Sequence, residues 1–199
     1  MTNTVVEQYH TIIEKDREIK QGLYQALYHK TIIASGMFTN DKKTGVWHFY
    51  NNKGQSFENY NYDTNNLLGE APEDSTSNFR YTIDDTFKPG DRITKPIKVG
   101  GRYFGYLPYL KLFKIPADMA NINRELYIAV LELLISPGGR LAEYKIHLKS
   151  GDYDRIIHIN PDLLSEEDKQ FIPATINGKA ITSNIFVHCY ITDDDDIDM

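Results

Sequence analysis

Apolar and polar residues alternate with a period of two through most of the chain's first half. Val5-Val6-Glu7-Gln8-Tyr9-His10-Thr11-Ile12-Ile13 is dense in β-branched and aromatic residues. Val5, Tyr9, Ile12 and Ile13 would also line one helical face, but the composition favours a strand. A charged turn over 14–21 leads to Gly22-Leu23-Tyr24-Gln25-Ala26-Leu27-Tyr28, and Thr31-Ile32-Ile33-Ala34 runs into Gly36-Met37-Phe38. These read as short antiparallel strands. Gly45-Val46-Trp47-His48-Phe49-Tyr50 repeats the Gly-apolar-aromatic opening of Gly22, 23 residues further on, as a duplicated hairpin would.

The second half carries a different pattern. In 126–135, Tyr127, Ala129, Leu131, Leu133 and Ile135 share one face, and Leu126, Ile128, Val130 and Leu134 share the other, with Glu132 the exception. A strand apolar on both faces belongs in the middle of a covered sheet. Ser136-Pro137-Gly138-Gly139-Arg140 supplies turn chemistry, and the returning strand points Ala142, Tyr144, Ile146 and Leu148 inward. Asn160-Pro161-Asp162 combines a capping residue, a first-turn proline and an acid at the positive end, which predicts a helix ending before Pro173. In the last strand Ile185, Val187, Cys189 and Ile191 face inward, opposite Phe186, His188 and Tyr190. Gly100-Gly101-Arg102-Tyr103-Phe104-Gly105 lacks the Lys-Ser/Thr ending of a phosphate loop and reads as a turn opening a helix over 103–113, kinked or restarted at Pro108.

Two resemblances follow from these residues. Gly36-Met37-Phe38-Thr39-Asn40-Asp41-Lys42-Lys43-Thr44-Gly45-Val46-Trp47 resembles a MORN-type repeat, over about residues 22–68. That likeness implies a β-meander and leaves its role open among lipid, protein and antitoxin-like functions. Gly100-Gly101, Ile115-Pro116-Ala117, Leu134-Ile135-Ser136-Pro137-Gly138-Gly139-Arg140-Leu141, Asn177-Gly178-Lys179 and the terminal strand resemble the TonB C-terminal domain family, over about residues 96–192. The second resemblance implies a final strand at a sheet edge that takes up receptor segments by strand addition. Residues 183–191 would then be the docking edge, with Asn184, Phe186, His188 and Tyr190 selecting the partner. The membrane anchor and Pro-rich spacer of an energy-transducing TonB are not in the sequence, so a stand-alone binding relative is the expectation.

Composition narrows the function classes. The chain has 199 residues and 41% hydrophobic content, enough to bury roughly 70% of its extended surface as one body. Its net charge is −6, but setting aside Asp193, Asp194, Asp195, Asp196 and Asp198 leaves 22 basic against 23 acidic residues. A nearly neutral body presents no broad basic face, which argues against nucleic acid as a partner. The Asp run reads as a solvated tail; it lacks the glycine and closing glutamate of a calcium loop. Cys189 is alone, so no intramolecular disulfide forms and the compartment is not legible from cysteine. No run of 18 apolar residues is present, which predicts no membrane span. If a signal segment has been removed, a periplasmic or outer-membrane-associated protein is implied; if the chain is native as written, a cytoplasmic one.

Catalytic chemistry finds no support. There is no Gly-x-Ser-x-Gly elbow, Cys189 lies mid-strand with His188 facing the other way, and the six histidines show no ligand spacing. No catalytic, cofactor or metal residues are therefore assigned, and no enzyme is expected. The expectation is an α+β protein: residues 1–85 an antiparallel meander, 86–192 a TonB-C-like hairpin–helix–strand domain, 193–199 an acidic tail. Its function would be that of a non-catalytic envelope scaffold binding another protein, or a second copy of itself, through the last strand. The alternative is glycan or lipid-headgroup binding on the Tyr/Asn-rich meander, through Trp47, Tyr50, Tyr60 and Tyr62. Strand alternation offers a plainer role for those rings, since Tyr60 and Tyr62 share one face and Asn59 and Asn61 the other.

Overall fold

Three two-residue turns in succession fold the first strands back on themselves. At Lys15-Asp16, His29-Lys30 and Asn40-Asp41 both turn residues take positive φ, between 44° and 70°. That double left-handed geometry matches the twist of the strands it joins, and here residues other than glycine adopt it. The computed structural model describes residues 5–73, 75–119, 123–194 and 196–199. These divide into two compact units, Met1–Glu73 with Gly100–Tyr106, and Asp74–Val99 with Leu107–Met199.

The first unit is a six-stranded antiparallel meander of β1 (Val5–Glu14), β2 (Arg17–Tyr28), β3 (Thr31–Thr39), β4 (Lys42–Tyr50), β5 (Ser56–Asn61) and β6 (Asn66–Glu70), in that spatial order. One face carries the rings of Tyr24, Phe38, Trp47, Phe49 and Tyr60, all buried. Residues 100–106 lie on that face. The Gly100 amide donates to Glu58 Oε1 at 2.9 Å, and the Phe104 ring stacks on Phe49 with centroids 5.9 Å apart. Tyr103 meets Tyr28 at 4.9 Å. A Cβ at Gly100 would sit 2.6 Å from the Gly105 Cα, so this covering segment needs glycine at its first corner.

The second unit holds β7 (Phe79–Ile83), β8 (Ile93–Thr94), β9 (Ile128–Ile135), β10 (Leu141–Ser150), β11 (Tyr153–Ile159), β12 (Ala174–Ile176), β13 (Lys179–Ile181), β14 (Ser183–Ile191) and β15 (Ile197–Asp198). Its main sheet runs β11-β10-β9-β14, and β14 pairs on its far side with both β7 and β15. A small sheet, β13-β12-β8, stands beside it. The core is built from Leu131, Leu133, Ile135, Tyr144, Ile146, Leu148, Ile185 and Val187, packed with Tyr109 and Phe113. Apolar alternation drives this arrangement: strands with one apolar face must bury it, and β9, apolar on both faces, takes the position between β10 and β14.

The fold class is therefore mainly β, not α+β. Strands make up 55% of the described residues and helical turns 8%. The helix expected after Asn160 is a single 3₁₀ turn, Pro161–Leu163. Its start was read correctly, since the Asn160 side chain accepts the Asp162 amide at 3.0 Å. The turn stops at Leu164, whose backbone is extended with φ −88° and ψ 151°, and the segment that follows is held from outside: Lys98 Nζ donates to the Glu167, Asp168 and Gln170 carbonyls at 3.1, 2.9 and 3.2 Å. The helix expected over 103–113 is likewise reduced to a 3₁₀ turn, Phe104–Tyr106, and one α turn, Leu107–Leu110. Residues 79–83, which fall inside the meander expected over 1–85, pair with β14 instead. Most of the acidic end does not trail into solvent. Ile197 and Asp198 return as β15 against Ile191 and Tyr190, both are buried, and Lys114 pairs with Asp196. Asp195 falls outside the described residues. Among the described residues no helix is long and apolar enough to cross a membrane.

Candidate functional site

The expected docking strand, 183–191, forms as β14. Its alternation is as read: Ile185, Val187, Cys189 and Ile191 are buried, and Asn184, Phe186, His188 and Tyr190 lie on the other face, half-buried or exposed. The edge is not open. β9 pairs with it from Ser183 to Tyr190, β7 from Ser183 to Val187 and β15 at Tyr190 and Ile191. Between those two, the His188 amide donates to the Asn78 carbonyl at 2.9 Å. A visiting strand at 183–191 has no backbone groups to meet, so strand addition there is overturned. The physical cause is that two short segments, one before the domain's hairpin and one from the acidic end, fill the positions a partner would take.

The expected ligand rings are also accounted for. Trp47 has 0% of its surface exposed and Tyr60 8%, while Tyr50 and Tyr62 are half-buried. Trp47 Nε1 donates to the Met37 carbonyl at 3.2 Å, and its ring meets Tyr62 at 5.6 Å. Tyr60 and Tyr62 contact edge-to-face at 4.9 Å. Lys43 Nζ lies 5.1 Å from the Trp47 ring and 5.2 Å from that of Tyr62. Trp47, Tyr60 and Tyr62 therefore pack on one another, and their faces are spent within the meander. The opposite face of the meander holds a feature that the aromatic pattern obscured: Gln8, Gln25, Ser35, His48 and Asn59 stand in register across five strands, and the His48 ring meets Asn59 Oδ1 at 2.7 Å.

On the outward face of the second unit's sheet, His147 sits between two carboxylates. Its Nε2 lies 2.6 Å from Glu132 Oε2 and its Nδ1 3.2 Å from Asp154 Oδ1. Both nitrogens are thereby occupied, and neither faces a hydroxyl or thiol it could activate. Lys145 pairs with Glu143 and Lys149 with Asp154 nearby. Among the described residues no group of three or more His, Cys, Asp or Glu is arranged to hold a metal.

Cys189 is buried, and its Sγ–H contacts the Val187 carbonyl at 3.6 Å. Burial first, and the nearby Asp198 carboxylate second, push the thiol up to about 12. Thiolate is the reactive form. Ellman's reagent at pH 8 should therefore leave Cys189 unmodified in the native protein and titrate one thiol after unfolding in urea; fast native labelling would show an exposed thiol.

β11 is the element the pattern reading passed over. Its signal was present in Tyr153-Asp154-Arg155-Ile156-Ile157-His158-Ile159, a β-branched run opened by a two-residue turn in which Gly151 has φ of 55°. Among the described residues β11 pairs with β10 alone, in register from Tyr144↔Ile159 to Ser150↔Tyr153. Tyr153 and Ile156 are exposed large side chains. At its start Arg155 pairs with Asp118 at 2.7 Å, and Tyr153 meets Tyr127 edge-to-face at 5.9 Å. No family model, curated protein or solved structure matches the chain at a significant level.

Proposed function

We propose that the protein is a binding scaffold whose second unit captures an extended segment of another protein by adding it as a strand to the outer edge of β11. One observation carries this reading: β11 is seven residues long and, among the described residues, its strand pairing is with β10 alone. Its other edge repeats N–H and C=O groups at strand spacing, which supply affinity to any extended chain. Selectivity comes from the exposed side chains Ile156 and His158, while Ile157 and Ile159 lie half-buried on the core face, opposite Ile146 and Tyr144. Asp154 and Arg155 at the start of the strand, one held by Lys149 and His147 and the other by Asp118, fix the register at which a visitor begins. The likeness to the TonB C-terminal family supports the mode of binding and not its location, since the last strand here is interior.

The test is selection of heptapeptides from a random display library against the full chain, followed by hydrogen exchange on the best binder. Binding is expected to slow exchange at alternate amides of 153–159. Ile156→Pro and Ile157→Pro should split: the variant whose N–H points outward weakens binding at least about tenfold with little change in melting temperature, and the other loosens the β10–β11 pairing. Protection on a different strand, or no peptide selected above background, would sink the reading.

A further inference from the structure

The first unit has its own open strand, and its sequence is self-complementary. β1 spans ten residues and, among the described residues, pairs with β2 alone. It carries neither proline nor lysine, the usual means of blunting an edge. Its apolar side chains stand in solvent: Val6 is 52% exposed, Tyr9 41%, Ile12 46% and Ile13 81%. A long apolar edge of this kind needs a cover.

We infer that the cover is a second copy of the chain, paired antiparallel along β1 with Tyr9 on the two-fold axis. In this register Val5 faces Ile13 of the second copy, Val6 faces Ile12, Glu7 faces Thr11, Gln8 faces His10, and Tyr9 faces Tyr9. Each pair lies on one face of the joined sheet, as direct antiparallel partners must. Apolar meets apolar at both ends, and no acid meets an acid. Neighbouring registers lose this match. Slipping by one residue sets side chains of opposite faces against each other. Moving the axis to His10 places Glu7 against Ile13, Gln8 against Ile12 and Val6 against Glu14. Moving it to Gln8 leaves Ile12 and Ile13 facing Thr4 and Asn3.

The centre of the pairing is reinforced on the face that carries Tyr24. Tyr9 stacks on Tyr24 at 6.2 Å, and Lys20 lies over the Tyr9 ring at 4.2 Å, so the axis residue is held before a second copy arrives. Lys20 also reaches Glu7 at 3.8 Å, which holds that carboxylate on its own strand, away from the facing copy. Joining two copies makes one continuous sheet of two six-stranded meanders. The edge buries a modest area, and the dimer is accordingly concentration-dependent. This inference is independent of the β11 reading, which concerns a different unit and a different partner.

Sedimentation velocity on the full chain over a wide concentration range should show a monomer–dimer equilibrium. Ile12→Lys, at an exposed position, should weaken association at least about tenfold while leaving the melting temperature unchanged. Mild oxidation of Tyr9→Cys should give a disulfide-linked dimer, because the thiols face each other across the axis, and buried Cys189 does not compete. Glu7→Cys should not link, since its counterpart lies several residues away along the strand. A chain that stays monomeric throughout, association unaffected by Ile12→Lys, or Glu7→Cys linking as readily as Tyr9→Cys, each overturns the proposal.

Discussion

Gly36→Ala should cost about 3 kcal/mol or more of folding stability, as overpacking of a filled core does at its upper end. A Cβ added at Gly36 would lie 2.2 to 2.4 Å from Cδ2, Cε2 and Cγ of Trp47. The indole is therefore laid flat across the glycine, a ring covering bare backbone on the neighbouring strand. It has no room to retreat, because Tyr24 stands 5.2 Å away, Phe38 5.3 Å and Phe49 6.1 Å. Gly36 does not have positive φ, so the penalty is steric and owes nothing to backbone conformation. The two outcomes open to the variant are strain in the sheet or ejection of the ring, and losing a buried Trp from a core costs about 3–5 kcal/mol. Urea unfolding followed by tryptophan fluorescence reads both at once, because Trp47 is the sole tryptophan. Gly69→Ala is the control, since an added Cβ there meets nothing within 4 Å. Trp47→Phe, whose unfolding is followed by circular dichroism because it has no tryptophan, should recover part of the loss in the Gly36→Ala background, a coupling that independent sites would not show. A Gly36→Ala midpoint close to that of Gly69→Ala would mean that the aromatic face is not close-packed.

The same pair shows how far sequence reasoning reached. Gly36 and Trp47 both fall in a stretch that reads as strand-forming, and both do lie in strands, but the contact of this indole with this glycine was not read. Alternation in β14 was equally legible, down to which of Phe186, Val187 and His188 faces the core. Such readings succeed because side-chain direction along a strand is a local property with a fixed period. What a strand pairs with is not local. β14 is flanked by β7, about a hundred residues earlier, and by β15 from the acidic end, and neither carries any mark of its destination. The same blindness applies to edges: among the described residues β11 pairs with β10 alone, yet in sequence it looks no different from an interior strand. The missing helix has a related origin: Asn160 and Pro161 are sound start signals, but the backbone turns extended at Leu164, and the segment after it is held by a lysine some seventy residues away.

That lysine makes the second large prediction. Lys98 is 5% exposed, and its ammonium has three N–H groups to place. The carbonyls of Glu167, Asp168 and Gln170 receive them at 3.1, 2.9 and 3.2 Å, and the Phe171 ring lies 5.2 Å from Nζ on a further side. Tyr109 Oη adds a second donor to the Asp168 oxygen at 2.5 Å. Residues 165–171 are thus held by side chains from two other segments, and the turn they form is stitched to the hairpin by Phe171 N–H to Gly139 O and Leu141 N–H to Lys169 O, at 2.8 and 2.9 Å. Lys98→Met keeps the stem and its packing but removes all three donors. Charged hydrogen bonds contribute about 1.5–3 kcal/mol each, offset by the desolvation of the ammonium that the variant no longer bears. The net loss should be about 3 kcal/mol, the lower end of what breaking a buried charged contact costs. Lys98→Arg should not restore it, because a planar fork cannot aim three hydrogens at three carbonyls gathered around one point. Lys88→Met, at an exposed position, should change stability by no more than about 0.5 kcal/mol. Hydrogen exchange separates this loss from a general loosening: in Lys98→Met the amides of Leu141 and Phe171 should exchange faster than those of β9 and β14. If all four regions accelerate together, Lys98 supports the whole sheet and not this turn; if none does, the three carbonyls are satisfied by other means.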